Sequence, residues 1–278
     1  MEALGKTPGA RNLKVLMAAI KPRALLLKLR NVPIFKQLKL EEALFRADPR
    51  SWLIINEWSA DGGVCTLTGS QNKPTDSLAI VLGISGKPDE LVHLDQAADA
   101  GVPLIKRFTG GGTVVCDTDT IFVSFIAAAE ALPEVRAYPE PILKWTSDIY
   151  ADALAACGIS DFRTNANDYC IGDRKFGGNA QSISGKRWLH HTSLLWDYEP
   201  SRMGLLQMPK KRPEYRASRP HGDFVRSLKA SGVPDRSELL RAIVDAAATR
   251  LELTQVTIKE AAEAMAAPHR KVTTEVVL

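Results

Sequence analysis

The hydrophobic positions along the chain form two kinds of pattern, short continuous apolar runs and longer runs with helical spacing. Short runs bounded by turn residues, about four to eight residues long, are typical of buried strands. Such runs, or β-type alternation, predict strands at 24–29, 52–56, 78–82, 103–106, 113–116, 121–127, 169–181 and 186–196. Helical spacing predicts helices at 35–47, 89–100, 142–157 and 236–251, with weaker signals at 202–207 and 223–230, and residues 60–77 are expected to be a loop or hairpin.

The order of these elements predicts the fold class. Strands dominate the middle of the chain, and helices flank them without the strict alternation that a Rossmann fold requires. We therefore expect an α+β fold with a mixed, largely antiparallel β-sheet flanked by helices. The weakest joint is Ser231–Pro234. It predicts a main domain over residues 23–230, a short helical C-terminal tail over 231–278, and a separate N-terminal segment over 1–22.

Composition and charge restrict the partners. The chain has 278 residues, 45% hydrophobic and 24% charged, which is enough to bury a sizeable core. A formal net charge of +4 is too small to indicate nucleic-acid binding, but it suits an anionic ligand such as ATP or an acidic protein partner. No apolar run approaches the ~20 residues that cross a bilayer. Neither a nucleic acid nor a membrane is expected as a partner.

The N-terminal charges and the cysteines bear on the compartment. From Ala3 to Leu40 every charged residue is basic. An acid-poor, basic and Leu/Ala-rich segment is typical of an organelle transit peptide, and a basic tail without structure is the alternative. The four cysteines contain no CxxC pair, which favours reduced thiols in an intracellular protein. A mitochondrial and a cytoplasmic location both stay open.

Three consecutive glycines, Gly110, Gly111 and Gly112, lie between two predicted strands, with Arg107 just before them. A hairpin turn needs only about one or two residues of unusual φ. Three glycines favour a backbone that approaches a ligand closely, and a flexible hairpin is the alternative. Arg107 adds a planar cation suited to phosphate or carboxylate. The segment is not a Walker loop, because no Lys-Ser/Thr follows, and not a dinucleotide-binding loop, because no helix follows.

Lys175 lies in a predicted strand next to Gly177-Gly178, and Asn167-Asp168 precedes it. A single lysine on a strand is usually a solvated edge charge. A lysine flanked by small residues and facing a glycine-rich loop is instead partly desolvated. Its ammonium can then contact carboxylate or phosphate oxygens, where charge grows during acyl transfer. Lys175 is therefore the candidate catalytic residue.

His190 and His191 are adjacent in a predicted strand, so their side chains point to opposite faces. A zinc dyad needs both on one side, which makes a metal pair unfavourable. We expect one of the two to be buried and hydrogen-bonded and the other to be exposed.

Together these motifs resemble the lipoate–protein ligase A family of the biotin/lipoate ligase superfamily. The resemblance covers about Leu25 to Arg226 and rests on Lys106–Asp117, Asn167-Asp168, Arg174–Ala180 and Leu189–Leu195. The predicted upstream helix with Glu41-Glu42 also fits. Because the motifs occur in the family's order, their combination is specific although each alone is not. The resemblance implies a biotin/lipoate ligase-like catalytic domain.

The resemblance also implies roles for individual residues. The Gly110–Gly112 loop would cover the acyl chain and the adenylate, and Arg107 would contact the phosphate or the adenine side. Lys175 would be the catalytic residue, in contact with the acyl carbonyl and the adenylate phosphate. Asp168 would be the magnesium contact. The implied acyl-adenylate and ATP site comprises Arg107, Thr109, Gly110, Gly111, Gly112, Asn167, Asp168, Gly178, Ala180 and His191.

The implied reaction is attachment of lipoate, through lipoyl-AMP, to the lysine of a lipoyl carrier domain, with ATP and Mg²⁺ required. Implied acceptors are lipoyl domains of 2-oxoacid dehydrogenase complexes or the glycine cleavage H protein. About fifty residues follow Leu228, fewer than a C-terminal accessory domain of the family needs. We therefore expect better use of lipoyl-AMP than of ATP plus lipoate, and a separate accessory subunit as a further partner.

The sequence departs from the family pattern at two positions, and three alternatives stay open. Cys116 replaces the usual histidine before Asp117, and Thr192 stands where glycine is common. Octanoyl transfer from acyl carrier protein uses a cysteine nucleophile, for which only Cys116 and Cys170 lie near the motifs. Biotin ligation normally uses a Gly-Arg-Gly-Arg loop, which is absent. A non-catalytic acyl-adenylate binder is the third alternative.

Overall fold

The computed structural model describes residues 21–210 and 212–276. Its strands are β1 Arg23–Arg30, β2 Trp52–Glu57, β3 Gly63–Val64, β4 Gln71–Asn72, β5 Ala79–Leu82, β6 Leu104–Lys106, β7 Val114–Cys116, β8 Thr120–Ala128, β9 Phe162–Asn165, β10 Asp168–Ile171, β11 Arg174–Ser184, β12 Arg187–Leu195, β13 Glu252–Val256 and β14 Thr274–Val276. Its α-helices are α1 Ile34–Ala47, α2 Pro88–Leu91, α3 Leu94–Asp99, α4 Pro139–Ala156, α5 Pro200–Met203, α6 His221–Phe224, α7 Arg236–Ala248 and α8 Lys259–Ala266.

The larger sheet confirms the predicted fold class. Within the described residues it has eight strands in the order β13-β1-β2-β8-β12-β11-β10-β9. β1 pairs in parallel with β13 and β2, and the other neighbouring pairs are antiparallel. The short β3–β4 hairpin lies in the segment predicted to be a loop or hairpin. The fold is therefore α+β, with a mixed and largely antiparallel sheet.

Both faces of the larger sheet are covered, which explains why its first strands have continuous apolar sequences. Leu26 and Leu53 pack on one face in a core that includes α4 and α7. Their neighbours Leu27 and Ile54 pack on the other face with residues of α1 and α8. Burying one such side chain contributes roughly 1.5–3 kcal/mol. A polar residue at any of these positions would therefore weaken the contact between a helical layer and the sheet.

The smaller sheet carries the glycine-rich segment. Its strands have the order β14-β6-β5-β7, and the triple glycine connects β6 to β7. The helix predicted at 89–100 is divided into α2 and α3, because Val92 forms a β-bridge with Leu206. The N–H of His93 also donates to the carbonyl of Leu205 at 2.9 Å. These contacts dock residues 200–207 against the smaller sheet and interrupt the predicted helix.

The C-terminal residues contribute to both sheets. A short helical tail was predicted over 231–278, and α7 and α8 within it are helical. The segment also contains β13, which pairs with β1, and β14, which pairs with β6. The Glu42 carboxylate accepts hydrogen bonds from the backbone N–H groups of Val272 and Thr273, both at 2.9 Å. The prediction of a purely helical tail is thus corrected.

Two further expectations concern the ends of the chain and the bilayer. Apart from residues 21 and 22, the predicted N-terminal segment 1–22 lies outside the described residues. None of the helices in the described ranges has the length and apolar character that spanning a membrane requires.

Candidate active site

A cleft of about 930 Å³ is lined by α1, both sheets and the segment 203–225. Ligand pockets commonly have volumes of about 300–1,000 Å³, so this cleft suits a small-molecule ligand. Thr109 is fully buried beside the cleft. The other predicted site residues line it: Arg107, Gly110, Gly111, Gly112, Asn167, Asp168, Lys175, Gly178, Ala180 and His191.

Lys175 lies on β11 and is paired with a carboxylate. Its Nζ is 2.7 Å from Oδ1 of Asp168, and the lysine side chain is 24% exposed. A Cβ added at Gly178 would lie 3.3 Å from Nζ. Gly178 therefore leaves room for the lysine to pack closely along its own strand. The ammonium is held in place by one partner and still borders the cleft.

A tight turn positions Asp168. Ala166 and Asn167 connect β9 to β10, and both have positive φ, 47° and 75°. Two-residue turns of this kind match the twist of antiparallel strands, and asparagine tolerates this backbone better than most residues. The side-chain amide of Asn179 donates to the carbonyl of Asn167 at 2.5 Å and ties the turn to β11. Strand β9, which makes this hairpin possible, was missed by the sequence analysis.

The second oxygen of Asp168 is also occupied. The Tyr215 hydroxyl donates to Asp168 Oδ2 at 2.7 Å. Burial raises the pKa of Tyr215, so the phenol stays protonated. In the part of the chain that the structure describes, no group of three or more His, Cys, Asp or Glu residues is arranged to hold a metal ion. Because Mg²⁺ is often held by only one or two carboxylates together with substrate phosphates, the magnesium contact implied for Asp168 stays a prediction.

Arg107 supports the glycine-rich loop from behind. Its side chain is buried, and Nη2 donates to the carbonyls of Gly110 at 2.7 Å and Gly112 at 2.8 Å, while Nε donates to Thr109 Oγ1 at 2.9 Å. Burial lowers the pKa of Arg107 to about 10, which leaves it charged at neutral pH. The guanidinium thus fixes the loop backbone. Its implied contact with the phosphate or the adenine stays a prediction.

The three glycines of the loop differ in what they require. Gly111 has a φ of 98°, and a Cβ there would lie 2.8 Å from Nη2 of Arg107. A Cβ at Gly83 would lie 2.2 Å from the Gly111 carbonyl oxygen. Around the Cβ positions of Gly110 and Gly112, none of the described residues comes within 4 Å. Packing therefore explains Gly111 and Gly83, and the other two glycines leave the backbone open to the cleft.

His191 connects the helix α1 to the glycine-rich loop. Its Nδ1 is 2.9 Å from Oε2 of Glu41, and its Nε2 is 3.2 Å from Oγ1 of Thr109. Glu41 is fully buried, and its Oε1 accepts hydrogen bonds from Gln37 at 2.7 Å and Ser124 at 2.6 Å. This chain of contacts joins α1, β8, β12 and the glycine-rich loop at one wall of the cleft.

His190 points to the opposite face of β12, as strand alternation predicts. It is fully buried, and its Nε2 is 2.9 Å from the Tyr169 hydroxyl. Burial, with a smaller contribution from His191, lowers the pKa of His190 to about 3, so it is neutral at neutral pH. The expectation that one histidine is buried and hydrogen-bonded is met by His190. The expectation that the other histidine is exposed is wrong, because His191 pairs with Glu41 and its side chain is only 12% exposed.

The four cysteines are all buried and free. Cys116 is completely enclosed, and its burial raises the pKa of its thiol. Burial also raises the pKa of Cys170, whose Sγ lies 3.5 Å from the Tyr215 hydroxyl. Both shifts disfavour the thiolate, the form that acts as a nucleophile.

Comparisons with known proteins identify the family. The family model described as Lipoyl protein ligase A/B catalytic domain matches residues 33–248, so the chain belongs to this family. The structure is similar to that of a lipoate-protein ligase A bound with ATP, with a TM-score of 0.69 and 17% identity over 89% of this chain and 93% of that one. It is also similar to an archaeal lipoylation system from Thermoplasma acidophilum, described as a bi-partite lipoate protein ligase and its E2 lipoyl domain. That TM-score is 0.67, with 18% identity over 89% of this chain and 91% of that one.

A curated relative adds a functional contrast. A Plasmodium falciparum (isolate 3D7) protein named inactive lipoate–protein ligase 2 is 28% identical over 242 residues. The match covers 70% of this chain and 61% of that relative's length. The family model and the similar solved structures confirm, at the level of family and fold, the resemblance that the sequence motifs indicated.

Proposed function

We propose that this chain is a lipoate–protein ligase or lipoyltransferase, which attaches a lipoyl group, through lipoyl-AMP, to a lysine of a lipoyl carrier domain. One observation supports this most. The Lys175 ammonium borders a cleft of about 930 Å³ whose lining also includes the backbone of Gly110–Gly112. A cation and open backbone N–H groups around one cavity suit a reaction in which negative charge grows on phosphate and carbonyl oxygens.

The lining of the cleft suits a ligand with one apolar and one anionic part. Apolar side chains from α1, β5 and β8 contribute Ile34, Leu38, Val81 and Phe122. Cationic side chains line it as well: Lys87, Lys175, Lys210 and Arg216. A lipoyl-AMP molecule has this division, because its acyl chain is apolar and its phosphate is charged. ATP alone or a free fatty acid would use only part of the lining.

In the proposed activation step, the lipoate carboxylate attacks the α-phosphate of ATP and pyrophosphate leaves. Lys175 would release Asp168 and contact the phosphate oxygens, because its side chain lines the cleft and its ammonium already holds one anionic oxygen. The backbone of Gly110–Gly112 would cover the acyl chain and exclude water from the mixed anhydride. The family resemblance implies Mg²⁺, and Asp168, once Lys175 has released its Oδ1, would be the residue that contacts the ion.

In the proposed transfer step, the carrier lysine attacks the acyl carbonyl and AMP leaves. Lys175 would stabilise the oxyanion that forms at the carbonyl carbon. Preorganised donors of this kind typically contribute ~2.7–4 kcal/mol to lowering the barrier. Thr109 and His191 would hold the loop in place, since Thr109 Oγ1 contacts both His191 and Arg107.

A non-catalytic acyl-adenylate binder is the second candidate function, because the Plasmodium falciparum relative is named inactive. Octanoyl transfer through a cysteine has no such support. The proposed acceptors are lipoyl domains of 2-oxoacid dehydrogenase complexes or the glycine cleavage H protein, and the Thermoplasma acidophilum system includes an E2 lipoyl domain. A separate accessory subunit is a further proposed partner.

The deciding experiment is mass spectrometry of a lipoyl-domain acceptor after incubation with three donors: lipoyl-AMP, ATP plus lipoate, and octanoyl carrier protein. The proposed function predicts a lipoyl adduct with lipoyl-AMP, and slower modification with ATP plus lipoate. An acceptor whose target lysine is replaced by arginine is the matched control. Tight binding of lipoyl-AMP without any adduct would favour the non-catalytic binder. An octanoyl adduct from octanoyl carrier protein would favour the octanoyltransferase alternative.

A further inference from the structure

Arg216 lies on the wall of the cleft that is formed by the segment after β12. It ends the short 3₁₀ helix Glu214–Arg216, is 5% exposed and lines the cleft. Its guanidinium carbon lies 4.6 Å from the ring centroid of Phe224. Its Nε donates to the carbonyl of Arg219 at 3.3 Å. The side chain is therefore packed against Phe224 and the backbone of Arg219 and does not extend into solvent.

One donor of this buried cation is unused. Nη2 of Arg216 is buried and has no hydrogen-bond partner among the residues that the structure describes. Leaving a buried, charged donor without an acceptor is unfavourable, and folded proteins rarely do so without a reason. Arg216 lines the cleft, so an anionic ligand that enters the cleft could supply the missing acceptor once the guanidinium turns toward it.

The surrounding backbone holds Arg216 in this position. Ala217 has φ 50° and ψ −127°, a conformation that non-glycine residues rarely adopt. Arg219 Nη1 lies 2.9 Å from Asp173 Oδ2, and its guanidinium carbon lies 5.5 Å from the Phe224 ring centroid. Backbone strain of this kind is concentrated at functional sites and persists where the surroundings enforce it. The segment Tyr215–Arg219 therefore presents Arg216 to the cleft at a cost in strain.

The charges around Arg216 are unbalanced. Asp168 is the nearby carboxylate, and its two oxygens are already bound to Lys175 and Tyr215. Burial lowers the pKa of Arg216, and the cation of Arg212 lowers it further. Burial also lowers the pKa of His221, to which the charges of Arg216 and Lys175 both contribute. Arg216 and Lys175 are therefore both close to His221, which is neutral. An anion bound between the two cations would relieve the excess positive charge.

We propose that Arg216 binds the phosphate of the adenylate and stabilises AMP as the leaving group in the transfer step. This rests on the proposed function. In that step the neutral amine of the acceptor forms the new C–N bond and loses one proton to solvent. The bond between the acyl carbon and the phosphate oxygen breaks, and AMP leaves with the bonding electron pair. The phosphate gains negative charge as it leaves, so a guanidinium with an unused donor acts where charge develops.

The test measures binding of AMP and of lipoate separately by calorimetry. Arg216→Gln should weaken AMP binding by about 10- to 100-fold, the range expected for a hydrogen bond to a charged group. Its affinity for lipoate, which has no phosphate, should change by less than about twofold if packing is preserved. Arg212→Gln is the matched control, because Arg212 is an exposed cation outside the cleft lining. Screening should limit its effect on AMP binding to about threefold.

The outcomes separate this proposal from the function on which it rests. Wild-type AMP affinity in Arg216→Gln, or equal loss of AMP and lipoate binding, would overturn the role of Arg216. If Arg216→Gln does not fold, Arg216→Lys supplies the same comparison, since it keeps the charge but not the planar donors. A selective loss of AMP binding together with slower transfer from lipoyl-AMP is the expected result. Selective loss in a chain whose wild type never transfers would support the phosphate site and overturn the ligase proposal.

Discussion

Two of the carboxylates that line the cleft, Glu41 and Asp168, differ in their surroundings. Glu41 is fully buried and is bound by His191 at 2.9 Å and by two further donors from α1 and β8. Asp168 is bound by Lys175 at 2.7 Å, and these two side chains are 15% and 24% exposed. The Glu41–His191 and Asp168–Lys175 contacts both lie at the same cleft. The Glu41 side chain is fully buried in the wall of the cleft, whereas the Asp168 side chain is partly exposed at the cleft.

The difference separates support from chemistry. A buried and fully hydrogen-bonded network is expensive to break, because each group left without a partner costs roughly 1–3 kcal/mol. An ion pair that borders a cleft opens at a lower cost than a fully buried one, because water or an incoming ligand can replace each partner. The Glu41–His191 contact is therefore suited to hold the glycine-rich loop. The Asp168–Lys175 contact is suited to exchange its partner for a ligand.

The largest effect is expected from removing the cation of the exchangeable pair. Lys175→Ala should slow transfer from lipoyl-AMP by about 30- to 1,000-fold, or ~2–4 kcal/mol in the barrier, because a preorganised charge donor is lost. Its unfolding free energy should change by less than ~1 kcal/mol. Lys144→Ala is the control, since this exposed lysine forms a similar ion pair with Asp148 on α4. Near-wild-type transfer by Lys175→Ala would remove Lys175 from the mechanism.

The next effect concerns the loop that the buried pair supports. Gly111→Val should weaken binding of lipoyl-AMP by at least tenfold, because a side chain at φ 98° is strained and would collide with Arg107. The strain alone is on the order of 1–3 kcal/mol. Calorimetry measures the affinity, and Gly112→Val is the comparison for stability, since its Cβ position has open space among the described residues. Unchanged affinity in a folded Gly111→Val protein would mean that the loop is only a turn.

A direct comparison of the two carboxylates should give a smaller effect. Glu41→Gln should lower the unfolding free energy by ~1–3 kcal/mol, because Gln37, Ser124 and His191 lose a charged acceptor in a buried network. Asp168→Asn should lower it by less than ~1 kcal/mol. Urea unfolding of both variants measures the difference. If Asp168→Asn were the more destabilising of the two, the contrast between a supporting and an exchangeable pair would be wrong.

The smallest effect is expected for the cysteines. Cys116 follows the glycine-rich loop and Cys170 lies beside Asp168, and burial raises the pKa of both thiols. The double variant Cys116→Ser, Cys170→Ser should therefore keep most of the transfer activity with lipoyl-AMP, because no thiolate takes part. Trapping an acyl thioester on either cysteine by mass spectrometry would contradict this prediction and favour octanoyl transfer.

The sequence predicted those parts of the site that are encoded locally. Lys175, Gly178 and Asp168 lie within one hairpin region, so a short motif was enough to place them together. The glycine-rich loop was recognisable because three consecutive glycines between strands are unusual. The fold class of the larger sheet was predictable, because strands such as β1, β2 and β8 have continuous apolar runs.

The parts that depend on distant segments were not predictable. Tyr215 and Arg216 lie in a segment with no helical or strand period, and only the fold brings them to Asp168, 47 positions away from Tyr215. The contacts of the Arg107 guanidinium with the carbonyls of Val81, Gly110 and Gly112 were also not predictable, because they form only when the loop closes around the side chain. β13 and β14 were missed because they are short and lie at sheet edges, where polar residues are common.

The edge positions of β13 and β14 have a consequence for the order of folding during synthesis. β1 is among the first elements made, yet its outer neighbour β13 is separated from it by 229 positions, as the Arg23–Glu252 contact shows. β6, which leads into the glycine-rich loop, likewise waits for β14. Pairings between distant segments are slow to form and leave strand edges exposed meanwhile. Until residues 252–276 emerge from the ribosome, β1 and β6 each lack the neighbour that pairs with their outer side. A chaperone or a second nascent chain could occupy those two open edges.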